Sequence, residues 1–296
     1  MLLLYGMTSY SLEKLCLFLL FIVWSNQVVS QGVTFERGVT YSASGEKLDV
    51  CKPVANVRQT AIIFIHGGGF TRGDRSEMLG SCELFAQGGF TGVSIDYRLT
   101  SEGFAYPAAL NDTNDAIQWM QSNAARLGFN ANKVVVFGYS AGATLALTAG
   151  LSNNSGVAAI VNIAGITDFV TARSDTSFQQ LRDDIDAYVG TAGLTEPSPI
   201  NRVSDNDPPV LLIHGMSDQI VPISQSNQLV ESLKQTRVGY VFKKYANIGH
   251  EIYLPNPRIA DVLLDITVFL VNIDQGLKIS SPNPEAVIPS IPLLLD

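Results

Sequence analysis

Lys133-Val134-Val135-Val136-Phe137-Gly138-Tyr139-Ser140-Ala141-Gly142-Ala143-Thr144-Leu145-Ala146-Leu147 sets a G-x-S-x-G between an apolar β-type run and an alanine-rich helical stretch. Strand, pentapeptide and helix in that order spell a nucleophile elbow, a sharp turn that lifts the serine oxygen above a sheet edge. The glycines answer a steric demand, because the turn brings strand and helix backbones too close for side chains. Three fixed positions recur by accident too readily to decide the matter alone, so the surrounding chain must carry it.

Working outward, β-type runs alternate with helical patterns. Val33 to Ser42, Lys47 to Cys51, Thr60 to Ile65, Gly92 to Asp96, Lys133 to Phe137, Val157 to Ile163, Pro209 to His214 and Tyr240 to Tyr245 read as strands. Helical patterns cover Glu77 to Gln87 and Pro107 to Ala125, and others start near Ser140, Ser224 and Arg258. Such alternation predicts an α/β fold, a mostly parallel sheet with helices on both faces. Ligand sites in these sheets lie beyond the C-terminal strand ends. Residues 165–207 lack strand character, and Thr176 to Tyr188 reads as a helix; the stretch is either a small cap over the site or the ordinary crossover. The expected layout is a signal peptide over 1–30, one catalytic domain over 31–279 and a Pro-rich irregular tail over 280–296.

The signal-peptide reading rests on Leu15 to Trp24, an unbroken apolar run of ten after Lys14, with Val28 and Ser30 small enough for a cleavage site after Ser30. Ten residues are too few to span a bilayer. A secreted, lumenal or periplasmic protein is expected, with a retained membrane anchor as the lesser alternative. In that setting Cys51 and Cys82 are the remaining cysteines, either bridged or held as separate buried thiols. Asn111-Asp112-Thr113 and Asn153-Asn154-Ser155 are glycosylation sequons. A net charge of -8 and a pI near 4.9, with no long basic block, argue against nucleic acid as a partner.

The chemistry gathers at strand ends. After the run Ala61 to Ile65 comes His66-Gly67-Gly68-Gly69-Phe70, whose glycines leave backbone N–H groups open toward an oxyanion. Serine needs a base, and the chain has three histidines. His66 lies in the glycine loop and His214 at a strand end, both suited to ordering loops. His250, in Asn247-Ile248-Gly249-His250-Glu251 after the last strand, is placed to reach the serine. The imidazole in turn needs a carboxylate to fix its tautomer. Asp218, in His214-Gly215-Met216-Ser217-Asp218, stands just past a strand and keeps the order Ser, Asp, His; Asp265 and Glu251 are weaker rivals.

With these residues in place, the chain resembles the α/β-hydrolase superfamily, and within it the H-G-G-G-type carboxylesterases and lipases of the hormone-sensitive-lipase-like and feruloyl-esterase-like branches. The likeness runs over about residues 33 to 273 and includes Asp96-Tyr97-Arg98-Leu99 and Tyr106-Pro107-Ala108-Ala109-Leu110. It implies a central sheet of about eight strands, Ser140 as nucleophile, Asp218 and His250 as its partners, and an oxyanion hole formed by the N–H groups of Gly68, Gly69 and Ala141. It further implies that His66 braces the glycine loop and that Tyr97 and Arg98 buttress it. Tyr139 and Ala143 depart from the lipase-like pattern, which has an acidic residue and a glycine there. Phe70, Tyr139, Ile252 and Tyr253 neighbour the inferred site as candidate pocket residues.

The implied reaction is hydrolysis of short- to medium-acyl esters of small molecules through an acyl-enzyme, with no cofactor or metal. A formamide or amide hydrolase with the same triad, and a non-catalytic binding protein on the same fold, are the alternatives.

Overall fold

The computed structural model describes residues 32–152 and 156–280. The expected signal segment, the second sequon and the tail beyond Ser280 lie outside them. The described strands are β1 (Val33–Thr40), β2 (Lys47–Pro53), β3 (Ala61–Ile65), β4 (Thr91–Ile95), β5 (Val134–Tyr139), β6 (Val157–Ile163), β7 (Val210–Gly215) and β8 (Tyr240–Tyr245). They form one eight-stranded sheet in the order β1-β2-β4-β3-β5-β6-β7-β8. β2 runs antiparallel to both β1 and β4, and every other pairing is parallel.

The continuous apolar runs are explained by burial on both faces. Along β5, Val134 and Val136 enter one core and Val135 and Phe137 the other, as a period of two requires. The first core is covered by α2 (Ala108–Leu127), α3 (Ala141–Gly150), α5 (Gln179–Val189) and α6 (Ser224–Gln235), through residues such as Met120, Leu145, Ile185 and Leu229. The second is covered by α1 (Leu79–Gln87) and α7 (Ile259–Asp274), through Phe85, Ile266 and Leu270. Cys51 on β2 and Cys82 on α1 form a disulfide across this second layer, which decides between the two arrangements the sequence left open.

Two local expectations need correction. The helix read over Thr176 to Tyr188 is present as α5 but starts later, at Gln179, and a separate short helix, α4 (Phe169–Asp175), precedes it. Thr176 is extended and buried, its hydroxyl donates to the Ile220 carbonyl, and its oxygen takes the Phe178 N–H, so this polar side chain stays outside α5. Among the described residues Arg98 makes no hydrogen bond to the glycine loop. Its guanidinium forks onto the fully buried Asp112 of α2 and also reaches the Ala108 carbonyl. Asn111, the acceptor of the first sequon, is exposed at the start of α2.

Candidate active site

Ser140 sits between β5 and α3 with φ 55° and ψ -121°, a conformation that a non-glycine residue holds only when its surroundings impose it. The imposition comes from close packing. A Cβ on Gly142 would overlap the carbonyl oxygens of Ile65 and His66, and one on Gly138 would overlap the Gly142 carbonyl. Ala143 to Gly150 are buried, so α3 lies tightly against the sheet and fixes the turn from below.

β3 lies beside β5 in parallel, so the glycine loop that follows it reaches the same edge. A Cβ on Gly67 would come within 3.2 Å of the Ser140 Cβ, placing loop and serine side by side. Gly68 and Gly69 have positive φ, 100° and 64°. Among the described residues, no backbone acceptor takes the N–H of Gly68, Gly69 or Ala141. The loop is held from behind: the Tyr97 hydroxyl lies 3.1 and 3.0 Å from the His66 and Gly67 carbonyls, and His66 Nδ1 lies 2.8 Å from the Gly67 carbonyl. The His66 and Tyr97 rings stack at 4.2 Å. Burial holds the His66 imidazole below its ordinary pKa, favouring the neutral form that this bracing uses.

β7 and β8 deliver the other two side chains. His250 opens a short 3-10 turn (His250–Tyr253) after β8, and Asp218 follows β7. His250 Nε2 lies 2.8 Å from Ser140 Oγ, and its Nδ1 lies 2.8 Å from Asp218 Oδ2. Asp218 Oδ1 accepts the Ile220 and Val221 N–H groups, both at 2.9 Å. His214 stands on the far side, its Nε2 donating to the Val221 carbonyl at 2.9 Å and lying 3.3 Å from Asp218 Oδ2, its Nδ1 facing the Ser226 hydroxyl at 2.8 Å. Burial alone would raise the Asp218 pKa, yet the interactions with His214 and His250 outweigh it and hold the carboxyl down at about 2. The rival acids are engaged elsewhere: Asp265 with Tyr245 and Lys243, Glu251 with the Gly249 N–H.

The pocket candidates divide. Phe70 is buried and stacks on Tyr188 of α5 at 3.8 Å, and Ile252 is fully buried, so both serve packing. Tyr253 packs on Phe137 and donates to Ser81. Tyr139 donates its hydroxyl to the His250 carbonyl at 2.7 Å, and burial pushes that hydroxyl's pKa well up, keeping the proton in place. Among the described residues, no three His, Cys, Asp or Glu side chains group as a metal site, and no helix is long and apolar enough to cross a membrane.

The family model BD-FAE matches residues 48–233, which carry the glycine loop, the elbow and Asp218. The chain belongs to the BD-FAE family. Esterase LipC of Mycobacterium tuberculosis is 30% identical to this BD-FAE member over 239 residues, 73% of this chain and 59% of that one. The probable carboxylic ester hydrolase LipM of the same organism is 25% identical over 248 residues, 76% of this chain and 57% of that one. The chain thus spans less than two thirds of the length of these curated relatives. Among solved structures, a hyperthermophilic esterase from the archaeon Pyrobaculum calidifontis superposes with a TM-score of 0.73 at 23% identity, covering 90% of this chain and 91% of that one. A truncated carbohydrate esterase from gut microbiota gives 0.70 at 24% identity, covering 83% and 98%. The likeness to both structures shows the α/β-hydrolase fold.

Proposed function

We propose that the chain is a serine carboxylic ester hydrolase acting on short- to medium-acyl esters of small molecules, with Ser140 as nucleophile, His250 as general base and acid, and Asp218 as the carboxylate that orients it. The observation that carries this reading is the continuous relay Ser140–His250–Asp218, each link at 2.8 Å. The Ser140 hydroxyl gives its proton to His250 Nε2 as its oxygen attacks the ester carbonyl. Charge developing on the carbonyl oxygen meets the free N–H groups of Gly68, Gly69 and Ala141, with His66 bracing the loop. The imidazolium then protonates the departing alcohol, and water, activated by the same imidazole, releases the acid from Ser140. The names of the curated relatives, an esterase and a carboxylic ester hydrolase, support the ester bond.

Export is part of the proposal: residues 1–30 act as a signal peptide, and the mature chain works outside the cytosol. The disulfide between Cys51 and Cys82 supports this, since such bonds persist mainly in oxidising compartments. The β6–β7 connection, 165–207, acts as a small cap, because α5 within it packs on the glycine loop through Tyr188 and Phe70.

Replacing Ser140 by Ala is expected to lower kcat on p-nitrophenyl acetate by about 10⁴-fold or more and to abolish labelling by a fluorophosphonate. Turnover unchanged in that variant would remove the assignment.

A further inference from the structure

Asp184 of α5 stands against the glycine loop. It is 5% exposed, and its Oδ1 accepts from Gln180 Nε2 at 2.8 Å. Oδ2 has no hydrogen-bond donor among the described residues, and it lies over Gly69, where a Cβ would overlap it. A glycine at 69 therefore serves two ends: it allows φ 64°, and it makes room for this carboxylate. Burial raises the Asp184 pKa, partly offset by Gln180 and by the charge of Arg72, which approaches without a hydrogen bond to it.

Burial strips part of the water from this carboxylate, as its raised pKa records, but Oδ2 is not among the buried polar atoms that lack a partner and keeps an opening to solvent. The contact with Gly69 is at most a weak C–H···O interaction, so the accepting capacity of Oδ2 is left to solvent or to a ligand. The helix that carries Asp184 belongs to the connection beyond the C-terminal strand ends, and the loop it faces touches the Ser140 side chain at Gly67. An acceptor that takes no protein hydrogen bond among the described residues thus lies against Gly69 of the glycine loop.

We propose that Asp184 Oδ2 forms a substrate subsite that accepts a hydrogen bond from a hydroxyl group near the scissile ester, on a hydroxyacyl or a polyol ester. The proposal rests on the ester-hydrolase reading above. A neutral hydroxyl fits better than an ammonium group, because Arg72 already supplies positive charge close by. A site whose acceptor is matched by a hydroxylated substrate discriminates against the analogue that lacks the hydroxyl.

Two matched pairs test it. p-Nitrophenyl butyrate against p-nitrophenyl β-hydroxybutyrate places the hydroxyl on the acyl side, and ethyl butyrate against glyceryl monobutyrate places it on the alcohol side. The wild-type protein is expected to favour the hydroxylated member of one pair by roughly 10- to 100-fold in kcat/KM, the worth of a hydrogen bond to a charged acceptor. In Asp184→Ala and Asp184→Leu the ratio should fall to about one. The ratio is the readout because any shift of the glycine loop on substitution acts on both members alike, and leucine fills the volume should alanine fail to fold. A wild-type ratio near one in both pairs, or a ratio that survives either substitution, overturns the subsite. Ser140→Ala run beside them separates the two claims: turnover persisting in that variant defeats the hydrolase reading, whereas its loss with flat ratios defeats only the role of Asp184.

Discussion

Replacing Asp218 by Asn changes one atom, and the structure fixes which one. The carboxylate faces donors on both sides: the Ile220 and Val221 N–H groups at Oδ1, and His250 at Oδ2 with His214 just beyond hydrogen-bond geometry. An asparagine oxygen can serve only one side. Turning its NH₂ toward the two backbone donors would leave buried N–H groups pointing at N–H groups, at about 1 to 3 kcal/mol for each unsatisfied donor. The oxygen therefore stays with Ile220 and Val221, and the NH₂ points at His250. His250 Nδ1 must then accept, which moves its proton to Nε2, the nitrogen 2.8 Å from Ser140 Oγ. A protonated Nε2 cannot take the serine proton, and kcat should drop by about 10⁴-fold, or roughly 5 kcal/mol of barrier. His214 resists any compensation, since its own Nε2 proton is committed to Val221. The assay is steady-state hydrolysis of p-nitrophenyl acetate near neutral pH, with thermal melting to confirm the fold. A folded Asp218→Asn protein that loses less than about tenfold would refute the tautomer argument and with it the role of Asp218.

Other predictions are smaller or concern stability. Tyr139→Phe removes only the hydroxyl that holds the His250 carbonyl, and should lower kcat about fivefold at unchanged KM, the effect of losing ~1 kcal/mol; a raised KM at full kcat would instead place Tyr139 in the substrate pocket. Asp218 is held at about 2 in the folded chain against an ordinary 3.8, so it stabilises the fold above the higher value and that stabilisation is lost as pH falls through the lower. Urea midpoints measured from about pH 5 down to about pH 2 should show a loss of roughly 2 kcal/mol from this group, absent in Asp218→Asn. Replacing both Cys51 and Cys82 by Ala opens a link across a sequence separation of 31 residues. It should cost about 3 to 4 kcal/mol by denaturant unfolding, and a melting curve insensitive to reductant in the wild type would argue against the bond.

Most of the candidate site was legible in the sequence because its parts announce themselves locally. Ser140 carries its flanking glycines, the glycine loop follows an apolar strand, and Asp218 and His250 each follow a strand in an order the fold requires. The strands were equally plain, since burial on both faces leaves unbroken apolar runs such as Ala61 to Ile65. What stayed hidden depends on pairings distant in sequence. Nothing near Tyr139 indicates that its hydroxyl would find a carbonyl 111 residues away. Gln180 and Asp184 are an ordinary helical pair until α5 is folded onto the glycine loop. His214 reads as a strand-end residue, and only the turn through Val221 brings its ring up to Asp218. The start of α5 was read too early for the same reason, because Thr176 stays outside the helix with its hydroxyl on Ile220 in another loop.

The hydrogen bond from Tyr139 to His250 closes a ring. Ser140 follows Tyr139 through one peptide bond, Tyr139 grips the His250 backbone, and the His250 ring returns to Ser140. The proposed nucleophile and base are therefore tethered by two routes, one through the ring assigned to proton transfer and one through Tyr139. Were the serine acylated as proposed, its bond to the imidazole would be given up and the Tyr139 bond would not be consumed. In the proposed reaction that bond would help keep the short turn at His250 beside the serine while water is activated, an anchor lying outside the proton relay.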